Sequence, residues 1–290
     1  MARQEGRILQ CNGGFYYVEV AGAVYECRAR GVFRRQGVTP LAGDLVGIET
    51  AEDGTGTVVE LLPRKNALVR PAVANLDTLV MVVSVADPRP NALVIDKMIA
   101  VAEENEIEPI LVFSKSDLQD AAVWESLYRK AGFETFVVTN TDPATVKPLK
   151  QRIAGGITAF TGNSGVGKST ILNMVQPEWG LMTGETSKKL GRGKHTTRTV
   201  TLYAWENGYI ADTPGFSSID VAKVEIPRDH LPFCFREFAD YLGCCQFTSC
   251  SHTKEKGCAI LQAVQDGEIA PSRHESFVAM VEEAKANEAW

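Results

Sequence analysis

Up to about Leu62 the chain alternates apolar and polar residues in short stretches broken by glycine turns; beyond it, longer apolar runs alternate with helical periodicity. Phe15 to Val20 and Val24 to Arg30 are β-prone and meet across Ala21-Gly22. Gly6 to Gln10 precedes them across Asn12-Gly13-Gly14, and Leu45 to Glu49 and Gly56 to Leu62 follow, with a turn at Glu52-Asp53-Gly54. Five short strands predict a small closed barrel over residues 1–65, most simply of OB type, although an SH3-like barrel gives a similar pattern. Such barrels bind RNA or single-stranded nucleic acid on strand faces and loops. Polar, proline-bracketed residues then predict a linker over 66–75.

The run from Thr78 to Val85 is continuously apolar, as expected of a strand buried on both faces of a parallel sheet. Helical periodicity over Asn91 to Glu104 follows, then a strand Pro109 to Phe113, a helix Ala121 to Ala131, a strand Thr135 to Thr139 and a helix near Ala144 to Ile153. Alternation of this kind predicts a doubly wound α/β domain over 76–222, with its ligand at the carboxyl ends of the strands. The stretch from Met182 to Thr199 is polar, without periodicity, and reads as a loop. Val200 to Trp205 and Tyr209 to Ala211 read as strands joined by Asn207-Gly208, and residues 223–290 as a mostly helical, cysteine-rich domain ending in a polar helix from Pro271.

The chemistry centres on Gly162-Asn163-Ser164-Gly165-Val166-Gly167-Lys168-Ser169-Thr170, which follows the apolar Ile157 to Phe160 and opens an apolar helix. Strand, glycine loop and helix with Lys-Ser at this offset form a phosphate-binding loop: backbone N–H groups turn in around the anion. Lys168 reaches the terminal phosphates, Ser169 takes a place on Mg²⁺, and the helix N-terminus favours negative charge. Asp212, at a strand end with Gly215 three positions on, suits the Mg²⁺ shell and a backbone N–H to the γ-phosphate. Strand ends also carry Ser114-Lys115-Ser116-Asp117 and Thr139-Asn140. A carboxylate at Asp117 accepts from guanine N1–H and the exocyclic amino group together, a donor pair that adenine lacks.

Composition narrows the setting. The 290 residues carry a net charge of −6, which argues against indiscriminate coating of nucleic acid. Basic residues nevertheless cluster at Arg28, Arg30, Arg34 and Arg35 and at Lys188, Lys189, Arg192 and Lys194, which suits selective contact with a phosphate-rich partner. No apolar run approaches the roughly 18 residues of a membrane span, and no secretory core opens the chain, so a cytoplasmic monomer is expected. Five of seven cysteines lie between Cys234 and Cys258. Cys250, His252 and Cys258, with either Cys244 or Cys245, offer three thiolates and an imidazole to a closed structural Zn²⁺ site.

The quartet Ser114-Lys115-Ser116-Asp117 resembles the Asn-Lys-Xaa-Asp guanine motif of GTPases with Ser in place of Asn, a departure expected to weaken the contact to base and phosphate loop. It precedes the phosphate loop, whereas in ordinary GTPases it follows. That order resembles the circularly permuted GTPases, and the sequence of barrel, permuted domain and cysteine-rich tail is similar to the bacterial ribosome small-subunit-dependent GTPase family. GNSGVGKST, GRGKHTTR, DTPGF and the cysteine-histidine cluster carry the resemblance. It implies that Gly191 to Thr197 is switch I, with Thr197 as the Mg²⁺ and γ-phosphate ligand and Thr196 as the near alternative. It selects Cys245 over Cys244, leaving Cys234 as a core thiol. Phe216 stands where many GTPases place a water-orienting Gln, so His195 becomes the candidate catalytic group. The implied activity is GTP hydrolysis stimulated by the small (30S) ribosomal subunit, with contacts to its rRNA, late in subunit maturation. The rivals are an RNA-binding adaptor that senses GTP or GDP with little turnover, and a metabolic P-loop kinase, against which Asp117 and Asp212 speak.

Overall fold

The computed structural model describes residues 3–35, 37–51, 53–69, 71–179, 200–212 and 226–288. His195, Thr196, Thr197 and Gly215 lie outside them. The described residues fall into two compact units.

The first unit holds the chain up to Leu79, with Leu149–Thr161 and a later hairpin. Its barrel consists of β1 (Arg3–Asn12), β2 (Phe15–Val20), β3 (Ala23–Ala29), β4 (Leu45–Thr50) and β5 (Thr55–Leu61). The first half of β1 pairs with β4 and the second with β2, β3 runs parallel to β5, and β4–β5 pairing completes the closure. Alternation puts Ile8, Val18, Cys27, Val46, Ile48 and Val58 inside, all fully buried. A short helix, α1 (Gly31–Arg35), stands in the expected loop after β3.

The expected linker is folded. β6 (Ala67–Val69) and β7 (Ala72–Ala74) form a hairpin, with Leu68 and Val73 buried. The polar residues that suggested a linker serve buried partners. Arg64 donates to both carboxylate oxygens of fully buried Asp44, each at 2.7 Å, and Asn66 exchanges hydrogen bonds with the Leu76 backbone at 2.9 and 2.8 Å.

From β8 (Thr78–Ser84), buried at every residue, the chain passes to α2 (Ala92–Glu104), β9 (Glu108–Ser114), α3 (Ala122–Lys130) and β10 (Glu134–Val138). Asn91 caps α2 by accepting from the Val94 N–H at 3.2 Å, and β9 and β10 pair in parallel. A turn of 3₁₀ helix, α4 (Lys147–Ile153), β11 (Gly156–Thr161) and α5 (Lys168–Val175) follow. In the first unit, β12 (Thr201–Trp205) and β13 (Gly208–Asp212) form the later hairpin, with β13 parallel to β11 and β12 meeting β1 at Gln10↔Thr201.

In the second unit a 3₁₀ turn (Leu231–Cys234) and α7 (Pro271–Glu288) pack onto α2, and a second 3₁₀ turn (Arg236–Tyr241) meets α6 (Ala259–Gln265). Phe235, Phe238 and Phe277 meet with ring centroids 5.0–5.4 Å apart. Beside them Arg273, 1% exposed, donates to Asp96 at 2.5 Å and Glu237 at 2.6 Å, its guanidinium 4.5 Å from the Phe235 ring centre. Tyr128 donates to the same Asp96 at 2.9 Å. Burial alone would lower the Arg273 pKa, but Asp96 and Glu237 outweigh it and keep the guanidinium charged. Among the described residues no helix is long and apolar enough to cross a membrane.

Candidate nucleotide site and metal centre

Backbone geometry makes the phosphate loop. Gly162 has φ 148°, and a Cβ there would sit 2.4 Å from the Val82 carbonyl oxygen, so only glycine lets the chain leave β11 this close to β8. Gly167, at φ 93°, is the left-handed N-cap of α5, with the Ile171 N–H donating to its carbonyl at 3.0 Å. Asn163, Ser164 and Gly165 are exposed along the rim, Val166 is buried beneath, and Lys168, Ser169 and Thr170 are half-buried on the first turn. A helix start of this form presents N–H groups to an anion.

The guanine motif reaches this loop directly. Ser114 is fully buried at the end of β9, and its Oγ lies 2.6 Å from the Val166 carbonyl oxygen and 3.3 Å from that of Val83. A hydroxyl has one proton, and the shorter distance gives it to Val166. Serine was expected to weaken the link to the phosphate loop; here it ties the motif to that loop across 52 positions. Lys115, in the left-handed conformation, donates its Nζ to the Asp87 carbonyl. Asp117 is exposed, its Oδ1 accepting from the Thr139 hydroxyl at 3.0 Å. Both side-chain polar atoms of Asn140 lie 3.6 Å from where a Gly167 Cβ would stand. Strand-end loops after β9 and β10 therefore converge on the phosphate loop, with the Asp117 carboxylate exposed beside them. Ser116 is half-buried beside it, with no described role. Asp212 closes β13.

The cysteine-rich loop forms a second centre. One ligand atom each from Cys245, Cys250, His252 and Cys258 lies within 4.8 Å of the others. His252 turns Nδ1 inward, 3.4 Å from Cys245 Sγ and 3.6 Å from Cys258 Sγ. Exposed Cys244 lies outside the cluster, its Sγ near the Asp240 and Leu242 carbonyls. Cys234 is buried against the His230 carbonyl, and burial, then Glu104 and Glu103, pushes its thiol up to about 12, as befits an inert core thiol. The donor set suits a tetrahedral d¹⁰ cation. Supporting groups surround it: the Ala259 N–H lies 3.3 Å from Cys245 Sγ, and His274 Nε2 is 2.8 Å from the His252 carbonyl. Glu255 gathers the loop, accepting from the N–H groups of Ser251, Thr253 and Lys254, each at 3.0 Å, and from the Ser251 hydroxyl. Burial raises the Glu255 pKa, but these hydrogen bonds outweigh it and hold the carboxyl at about 2.

Residues 61–222 match the family described as RsgA GTPase, and residues 5–58 match its RsgA N-terminal domain. The chain belongs to the RsgA GTPase family. It is 40% identical over 292 residues to "Small ribosomal subunit biogenesis GTPase RsgA" of Caldanaerobacter subterraneus subsp. tengcongensis, covering 99% of this chain and 98% of that one. The protein of the same name from Geobacillus thermodenitrificans is 40% identical over 287 residues, 97% of each chain. Among solved structures, YjeQ from Thermotoga maritima superposes with a TM-score of 0.85 at 33% identity, over 98% of this chain and 99% of that one. YloQ, titled a circularly permuted GTPase, gives 0.81 at 30% identity, over 99% and 96%. The family makes this chain a GTP hydrolase, and the permuted order is shared with a solved relative.

Membership in the RsgA family gives the barrel surface its interest. A cleft of about 610 Å³ opens beside the β1–β2 turn, lined by Phe15, Tyr16, Arg28, Arg30 and Phe33. The Arg28 guanidinium lies 4.7 Å over the Phe15 ring. Cations and rings so interleaved suit phosphates and unstacked bases. Of the first basic cluster, Arg28 and Arg30 thus line the cleft, while Lys188, Lys189, Arg192 and Lys194 lie outside the described residues. The sequence reading missed Thr139 as the partner of Asp117, Glu255 as the organiser of the metal loop, and Arg273. A Glu within a metal-ligand run was a usable signal, and Thr139 stood among the strand-end candidates without its bond to Asp117; nothing local marked Arg273.

Proposed function

We propose that this chain hydrolyses GTP in the maturation of the small ribosomal subunit, held on the subunit in its GTP form and released after hydrolysis. The observation that carries this reading is the union of a guanine motif with the phosphate loop through Ser114 and Val166 in a chain that matches small-subunit biogenesis GTPases over nearly its whole length. In this reading Gly162 to Thr170 cradle the phosphates, Lys168 meets their terminal charge, and Asp117, oriented by Thr139, reads guanine beside Lys115, Ser116 and Asn140. Ser169, Thr197 and Asp212 hold Mg²⁺. Gly215 senses the γ-phosphate, and His195 orients the attacking water once the subunit orders its loop. Cys245, Cys250, His252 and Cys258 hold one structural Zn²⁺. The barrel cleft meets rRNA, and the protein acts as a cytoplasmic monomer.

The test is GTP turnover with and without purified small subunits, in wild type and His195→Ala. Stimulation in the wild type that is lost in a variant still binding the subunit supports the reading. An unstimulated wild type refutes it and leaves a nucleotide-sensing adaptor.

A further inference from the structure

The hairpin β12–β13 occupies a particular place in the chain. It follows the stretch proposed as switch I, and its second strand ends at Asp212, a proposed Mg²⁺ residue. Within the first unit it is held from both sides.

On one side the hold comes from the barrel. β12 meets β1 at Gln10↔Thr201. Tyr209, three residues before Asp212, donates its hydroxyl to Glu19 Oε2 on β2 at 2.5 Å, a bond spanning 190 positions. Arg7 on β1 lies over the Tyr209 ring, 5.5 Å from its centre, and donates Nη1 to the Gly43 carbonyl at 2.8 Å. Two barrel strands therefore bracket one side chain of β13 by a hydrogen bond and a cation–π contact.

On the other side, β13 runs parallel to β11 from Gly156↔Gly208 to Ala159↔Ala211. A Cβ on Gly208 would stand 2.2 Å from the Gly156 carbonyl oxygen, so the strands meet more closely than any other residue allows. Asp77 fixes β11 in turn: its carboxylate accepts from the Ile157 N–H at 2.7 Å, and its own N–H donates to the Ile157 carbonyl at 2.9 Å. After Thr161, β11 runs into the phosphate loop. A contiguous packed path thus joins the barrel strands to the strand that feeds the phosphate loop and to the strand that ends at Asp212.

Packing alone would be served by phenylalanine at 209. The hydroxyl and the Glu19 carboxylate add a directional bond that fixes where β13 sits against the barrel. We propose that Arg7, Tyr209 and Glu19 couple RNA engagement by the barrel to GTP hydrolysis, with Tyr209 positioning β13 against the barrel. The inference rests on subunit-stimulated hydrolysis as read above. Coupling is reciprocal in binding: if the barrel biases the nucleotide-bearing strands, bound nucleotide biases the barrel's affinity for RNA by the same factor.

Tyr209→Phe keeps the ring beneath Arg7 and removes the hydroxyl. Two ratios are read: GTP turnover with small subunits over turnover without, and subunit affinity with a non-hydrolysable GTP analogue over affinity with GDP. Both are expected to fall at least about fivefold, the lower end of typical coupling, while basal turnover, GDP affinity and the melting curve stay at wild-type values. Glu19→Gln is expected to do the same, and the double variant no more than either single one. A merely structural bond would shift melting and leave both ratios intact. Wild-type ratios in a folded Tyr209→Phe protein overturn the proposal, and Glu19→Gln decides it if that variant does not fold. A wild type without stimulation overturns the functional reading itself, so the two failures are told apart by the wild-type arm.

Discussion

Replacing Ser114 by alanine removes one oxygen from a fully buried position, and the consequence can be worked from the geometry. The hydroxyl donates to the Val166 carbonyl at 2.6 Å, and Val166 is 4% exposed, so water has little access to replace the donor. A neutral hydrogen bond contributes about 0.5–1.5 kcal/mol net, and a buried acceptor left without a donor costs about 1–3 kcal/mol. That cost appears in nucleotide affinity because the loop, no longer held, relaxes in the empty protein and must be re-ordered on binding. Taking about 1.4 kcal/mol, GDP affinity should fall about tenfold, and the 3 kcal/mol ceiling caps the loss near 150-fold. Fluorescent GDP titration measures it, with the melting curve as the control for folding. Preference for GTP over ATP should survive, because Asp117 and Thr139 are untouched. Unchanged GDP affinity in a folded variant, or lost guanine preference at unchanged affinity, would refute this account of Ser114.

Arg273→Met should destabilise the second unit by about 3–5 kcal/mol in denaturant unfolding, because Asp96 and Glu237 lose a buried partner; a loss below 1 kcal/mol would mean that the network carries little. Purified protein should contain one Zn²⁺ per chain, Cys258→Ser should contain none, and Co²⁺ exchange should give a tetrahedral thiolate spectrum; Cys244→Ser retaining full metal separates the two neighbouring thiols. His230 is paired with Glu104 at 2.9 Å, a hydrogen bond and charge attraction that raise its pKa above the ordinary 6.5. The pair therefore adds stability below about pH 6.5 and loses it as pH rises through the raised value, so wild type should lose more stability than His230→Asn between about pH 6 and pH 8 in parallel urea titrations.

What could be read in the sequence follows from how local each signal is. Thr78 to Ser84 was legible because a strand buried on both faces needs a run of apolar or small residues, a pattern that β9 repeats. The phosphate loop was legible because its glycines answer to backbone geometry fixed within nine residues. The hairpin within 66–75 was not legible because composition does not reveal partners: Asn66, and Arg64 just before it, look solvated until the Leu76 backbone and Asp44 stand beside them. Arg273 was invisible for the same reason, since a cation in a polar helix reads as surface until Asp96, 177 positions away, is placed against it. The guanine motif shows the limit most clearly. Comparison with an Asn motif correctly marked Ser114 as a departure, but the direction of its hydroxyl depends on β9 ending against the phosphate loop.

That placement also explains why the motif order can be permuted at all. The bond from Ser114 to Val166 and the approach of Asn140 to Gly167 join strand-end loops, and a loop's position follows from its strand rather than from its rank in the chain. Permutation leaves these junctions intact and changes what each strand is covalently joined to. Here β8 follows the barrel through a folded hairpin, and the chain leaving β13 at Asp212 next enters described structure at Ile226, where it joins residues packed on α2 through Arg236 to Glu103 and Cys234 to Glu104. Permutation thus leaves the strand that ends at Asp212 held by the barrel, while the C-terminal region is held by α2.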